Sequence, residues 1–96
     1  MSVVVIAFVT VNEDQPLALA KYLDILEPLL ARFGAKIARR YRLDDTSTGK
    51  RIGKTVIVLE FPDRTAVDRV LSSPQYKKAA KYRDIAFSEF SLHIPA

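Results

Sequence analysis

The chain of 96 residues has no cysteine and only one histidine, His93. The first absence excludes a disulfide framework, a thiolate metal site and a cysteine nucleophile. The second excludes a histidine-rich metal site within one chain. Glycine is sparse, at three residues, and there is no glycine-rich phosphate loop, dinucleotide fingerprint or carboxylate-rich metal motif. No cofactor and no metal are therefore expected. The apolar run Val3–Val11 is far too short to span a bilayer, and no charged leader segment precedes it. These points predict a cytoplasmic protein with no membrane partner. The net charge of +4 is modest, permitting acidic ligands without demanding nucleic acid.

Apolar residues, by contrast, are plentiful. They make up 49% of the chain, at the upper end of the ordinary range. The length predicts one domain, residues 1–96. A core of that size buries only roughly 60–65% of the unfolded surface, so surplus apolar surface points to a partner.

Val3–Val11 is β-branched with no polar alternation, the pattern of a strand buried on both faces and hence central. Asp14 is placed to cap the following helix, with Pro16 in its first turn. Leu19, Tyr22, Leu23, Leu26, Leu29, Leu30 and Phe33 then form one helical stripe ending at Gly34, with Pro28 expected to kink it. Ala35–Leu43 reads as an edge strand rich in arginine, and Asp44–Lys54 as a polar loop. Thr55–Phe61 is a second doubly apolar strand. Asp63 and Ser73 are caps for a short helix and a further helical segment, with Tyr76, Ala80 and Arg83 on the inner side of the latter. Phe87–Ile94 alternates, with Phe90, Leu92 and Ile94 facing the core and Glu89, Ser91 and His93 facing away.

This order predicts an α+β protein of ferredoxin-like βαββαβ design: a four-stranded antiparallel sheet with its helices on one face. The first and third strands are central in that topology, where the doubly apolar runs fall. Their outer faces would be bare in a monomer, forgoing ~1.5–3 kcal/mol for each large side chain. A homodimer packed through the sheet face is the expected remedy.

The segment Tyr22–Gly34, with its internal proline and closing glycine, resembles the first helix of the DUF1330 family. Ala38-Arg39, Glu60-Phe61-Pro62-Asp63, Ser73-Pro74-Gln75-Tyr76 and Arg83 are similar to that family's later landmarks. The resemblance spans nearly the whole chain. It implies membership of the dimeric α/β-barrel group, which includes antibiotic-biosynthesis-type monooxygenases, and so a dimer with its activity left open.

A pocket in such a dimer lies between helices and sheet rim or between the facing sheets. Glu60 interrupts an apolar strand, and His93 is the one side chain with an ordinary pKa suited to proton transfer near neutrality. Together they are candidates for acid–base catalysis on a small organic acid or enol. The alternative for Glu60 is an ion pair with an arginine at the dimer seam, and for His93 an inert exposed position. Arg39 and Tyr41 share a side of their strand and suit an anion clamp, which Tyr76 and Arg83 would complete from the second helix. The alternative for Arg83 is to tie down loop carbonyls.

RNA binding is the rival from another class, because Lys54–Phe61 aligns with the RNP1 pattern. Val56 and Val58 stand where its stacking aromatics belong and cannot stack bases, so no nucleic-acid partner is expected. The expectation is thus a small-molecule-binding protein or cofactor-independent enzyme, with a small anionic organic ligand held in a sheet-packed homodimer. The alternative is a non-catalytic dimeric structural or regulatory module.

Overall fold

A computed structural model describes residues 2–43, 48–49 and 53–95. Most of the expected polar loop Asp44–Lys54 lies outside those residues. The elements run β1 (Val3–Val11), α1 (Pro16–Arg32), β2 (Lys36–Arg42), β3 (Thr55–Phe61), α2 (Arg64–Ser72), α3 (Pro74–Ala86) and β4 (Phe87–His93). The strands form one antiparallel sheet in the order β2-β3-β1-β4. The two doubly apolar strands are therefore central and the arginine-rich β2 is an edge, in a ferredoxin-like arrangement whose second helical segment is split in two.

The split is made by local chemistry. Asp63 accepts a hydrogen bond from the Ala66 amide at 2.7 Å and starts α2. Ser73 serves two helices at once: its hydroxyl donates to the Val70 carbonyl at 2.7 Å and accepts from the Tyr76 amide at 3.1 Å. Pro74 then occupies the first turn of α3, where its missing N–H costs nothing.

The start of α1 differs from expectation. Gln15, not Asp14, is the N-cap, and no side chain caps the helix. Pro16 fixes the first helical position, so the cap falls one residue before it. A turn closed by the Gln15 amide on the Asn12 carbonyl, at 3.0 Å, leaves Asp14 exposed outside the helix. α1 runs through Pro28 as one element. In α3 the stripe is also displaced by one residue. Ala79 is fully buried and Ala80 is not, because the inward line runs Tyr76, Ala79, Arg83, Ala86 at alternating three- and four-residue steps.

Val5, Ala7 and Val9 of β1 and Leu59 and Phe61 of β3 form the helix-covered face of the sheet. They pack with Tyr22, Leu26, Leu29 and Leu30 of α1, Val67 and Val70 of α2, and Ala79 and Ala86 of α3 in one core. Gly53 permits the chain to cross β1 closely before β3. A side chain there would begin 3.1 Å from the Val9 backbone nitrogen and oxygen, and the Lys54 amide donates to the Val9 carbonyl at 3.0 Å.

Pairing register assigns the other face. Val4, Ile6, Phe8 and Thr10 stand beside Glu60, Val58 and Val56 of β3 and His93, Ser91 and Glu89 of β4. Lys36, Arg39 and Tyr41 of β2 continue the row. Among the described residues no helix covers this face, and its apolar side chains are only half-buried.

Candidate functional site

A cavity of about 70 Å³ lies between the helices and the covered face of the sheet. Its walls are almost entirely apolar, with Val5, Ala7, Leu26, Leu59 and Leu92 among the lining residues. Among the described residues the polar side chains that line it are Tyr22, Tyr76 and Arg40, and no carboxylate does.

The two tyrosines come from different helices onto the β4 side of the cavity. Tyr22 projects from the apolar stripe of α1 and meets Phe87 and Phe90 edge-to-face, at ring separations of 5.6 and 6.4 Å. Tyr76 is placed by the Ser73 cap and is 7% exposed. Its hydroxyl accepts a hydrogen bond from Arg83 Nη1 at 3.2 Å. Arg83 also spreads over the Phe90 ring, 5.1 Å from its centre, and pairs with Asp84 at 3.2 Å. It makes no hydrogen bond to a loop carbonyl among the described residues.

Burial pushes the Tyr22 phenol well above its ordinary pKa; the adjoining Tyr76 raises it further and the Arg83 charge partly offsets the rise. Partial burial alone would pull the Arg83 guanidinium down. Its contacts with Tyr76 and Asp84 outweigh that and move it up, so it stays cationic.

Arg40 reaches the cavity from the opposite edge of the sheet because β2 is irregular. The register shifts between Ile37 and Arg39, so Ile37 faces Leu59 and Arg40 faces Ile57, both on the covered side. The extra residue in the ladder is Ala38, a β-bulge.

The remaining candidates lie on the uncovered face. Arg39 and Tyr41 share a side, opposite Val58 and Val56. Tyr76 and Arg83 do not join them, because the sheet stands between the two pairs; within one chain there is no four-residue clamp. Glu60 and His93 share the uncovered face but stand on β3 and β4 with β1 between them and a two-residue offset. Strand spacing and rise put their Cα atoms about 12 Å apart, too far for one proton to pass between them directly. His93 instead hydrogen-bonds Ser91, Nε2 to Oγ at 3.0 Å, and its ring stands edge-on to Phe8 at 5.4 Å. Glu89 accepts from the Thr10 hydroxyl at 2.7 Å, and that hydroxyl accepts from the Lys54 amide at 3.2 Å.

Sequence reasoning missed Tyr22 and Arg40. Tyr22 was hidden in a stripe that reads as core. Arg40 was hidden by the bulge, since strict alternation groups Ile37 with Arg39. Among the described residues, no three histidines or carboxylates are grouped to hold a metal. No helix among them is long and apolar enough to cross a membrane.

The fold defines a ferredoxin-like α+β protein with an apolar pocket under its helices. The chain belongs to the family described as "Domain of unknown function (DUF1330)", whose pattern matches residues 2–94. Solved structures share the fold at low identity. A protein of unknown function from Rhodopseudomonas palustris is 20% identical with a TM-score of 0.81, over 98% of this chain and 80% of that one. A dimeric ferredoxin-like protein of unknown function from Jannaschia sp. CCS1 is 13% identical with a TM-score of 0.72, over 100% and 99%. A candidate antibiotic-biosynthesis monooxygenase from Bacteroides thetaiotaomicron VPI-5482 is 13% identical with a TM-score of 0.68, over 99% and 88%. None of the functionally curated proteins matches the chain.

Proposed function

We propose that the protein binds a small organic molecule in the cavity between helices and sheet, and that it does so as a homodimer packed through the uncovered sheet face. The cavity carries the reading: a largely apolar pocket lined by a few polar groups is the ordinary form of a small-molecule site. Arg40 lines it, Arg83, itself paired with Asp84, stands behind Tyr76, and no carboxylate is among the lining residues. That balance favours an anionic ligand, with Tyr76 and Arg83 as binding residues.

The dimer rests on the opposite face. Val4, Ile6, Phe8, Val56 and Val58 form a half-buried apolar strip. Completing their burial gains about 1 kcal/mol each, or on the order of 10 kcal/mol when a twofold axis doubles the strip. That is comparable with the cost of association. The fold neighbour from Jannaschia is itself dimeric. In this reading Arg39, Tyr41, Glu60 and His93 border the strip and serve the seam between subunits, Glu60 meeting a cation of the β2 rim.

Native mass spectrometry combined with a thermal-shift screen of small organic acids tests both parts. The expected result is a dimer that one class of acid stabilises by ~2.7 kcal/mol at a hundred times its dissociation constant. A dimer that no small molecule stabilises would favour a purely structural or regulatory module. A concentration-independent monomer would remove the sheet-packed assembly.

A further inference from the structure

The polar end of the cavity contains more hydrogen-bond donors than acceptors. Arg83 Nη1 donates to the Tyr76 hydroxyl oxygen. Tyr76 adjoins Tyr22 closely enough to help raise the Tyr22 phenol above its ordinary pKa. The guanidinium also donates to the Asp84 carboxylate, whereas neither phenol O–H has an acceptor among the described side chains other than the adjoining phenol. Whichever phenol donates to the other, one O–H proton is left without a protein partner. No lining residue is a carboxylate that would take it. Among the described residues no side-chain polar atom is both sealed from solvent and unpartnered, and both tyrosines line the cavity that a guest can fill.

Both phenols are anchored. Tyr22 is 4% exposed and Tyr76 is 7% exposed, with Tyr22 held between Phe87 and Phe90. Burial keeps the Tyr22 phenol protonated far into the alkaline range, so it is a donor at every physiological pH. A fixed phenol donor, a second phenol polarised by a guanidinium and an apolar enclosure are together complementary to a negatively charged oxygen. Size limits the rest of the guest. About 70 Å³ is roughly half of the cavity volume that admits benzene, which leaves room for an apolar body of about three or four carbons.

We infer that Tyr22 and Tyr76, backed by Arg83, form an oxyanion-binding pair, and that the cavity selects short-chain monocarboxylates. The assignment rests on the cavity being the ligand site, as proposed above. It gives Tyr22 a part in specificity that its place in an apolar stripe conceals.

The test is an NMR titration of the wild-type dimer with butanoate and with butan-1-ol, which matches it in chain length but lacks the charged oxygens. Methyl resonances of Val5, Leu26 and Leu59 report occupancy of the cavity itself. The expected result is that both shift those methyls and that butanoate binds at least tenfold more tightly. Tyr22→Phe and Tyr76→Phe, each keeping its ring, should lower butanoate affinity about tenfold or more. Butan-1-ol affinity should fall by a clearly smaller factor, and native-like dispersion of the methyl resonances shows that the variants are folded.

Equal affinity for the two probes, or an unchanged ratio in both Phe variants, would overturn the oxyanion pair while leaving the cavity as a binding site. If neither probe shifts the cavity methyls, the cavity reading fails and the pair fails with it.

Discussion

Ile37 and Arg40 stand three residues apart on one strand yet face the same side of the sheet, opposite Leu59 and Ile57. Regular alternation would put them on opposite sides, so the bulge at Ala38 brings a cation to the cavity edge. Arg40 is exposed, so its loss should change stability by no more than about 0.5 kcal/mol. Its effect on an anionic guest should be larger. Arg40→Gln is expected to weaken butanoate binding severalfold and to flatten its dependence on salt between 20 and 300 mM. Calorimetric titrations of both proteins at the two salt concentrations check this.

Ala7 offers a converse test, because it lines the cavity from the middle of β1. Ala7→Leu adds three carbons where space already exists. The variant should be as stable as the parent or up to ~2 kcal/mol more so, whereas a tightly packed site would lose ~1–3 kcal/mol. Chemical denaturation gives the sign. The same variant should no longer be stabilised by any small acid.

Phe8 probes the uncovered face. In the proposed dimer a carboxylate at its place would be buried at the seam with only the His93 ring beside it. Phe8→Glu is expected to give a folded monomer, with native-like far-UV circular dichroism and half the mass by sedimentation. A persistent dimer would place the interface elsewhere on the molecule.

Tyr22 sets a pH dependence whose sign follows from its burial. Its pKa is raised in the folded state, while the unfolded chain titrates near the ordinary value of 10. The folded state therefore holds a proton that the unfolded chain releases as pH climbs. The contribution is complete below pH 10 and is lost above it, approaching ~1.4 kcal/mol for each pH unit. Urea midpoints between pH 9 and 11.5 should fall more steeply for the parent than for Tyr22→Phe.

Ser73 joins two helices through one hydroxyl. Ser73→Ala removes the cap of α3 together with the bond to Val70, and should cost about 1 kcal/mol or somewhat more. In a chain of this size that lowers the melting temperature by roughly 4–8 °C. Because the same cap places Tyr76, butanoate affinity should fall with it.

Most of the architecture was legible because burial on both faces leaves a mark on composition. Val3–Val11 and Thr55–Phe61 lack polar alternation and are the two central strands, while Glu89, Ser91 and His93 fall on the uncovered face as their spacing indicates. Caps at Asp63 and Ser73 were legible from residue type. The cap at Asp14 was not, since Pro16 and the preceding turn decide which residue takes that position. The candidate site was harder to read for a geometric reason. Spacing groups Arg39 with Tyr41 and Tyr76 with Arg83, but it does not say on which side of the sheet each group falls. The bulge at Ala38 and the place of Tyr22 among core residues depend on packing between elements distant in sequence.

The order β2-β3-β1-β4 also has a consequence for synthesis. Both neighbours of β1 lie far along the chain, the nearer beginning at Thr55 and the other at Phe87. At ordinary translation rates of about 5–20 residues per second, β1 waits several seconds for the first of them and longer for the second. Throughout that time a β-branched segment with two open edges is covered on one face at most, by α1. Such a segment is the kind that templates strand pairing between chains. The nascent chain is therefore most vulnerable to aggregation before β3 emerges, and a holding chaperone would act on β1.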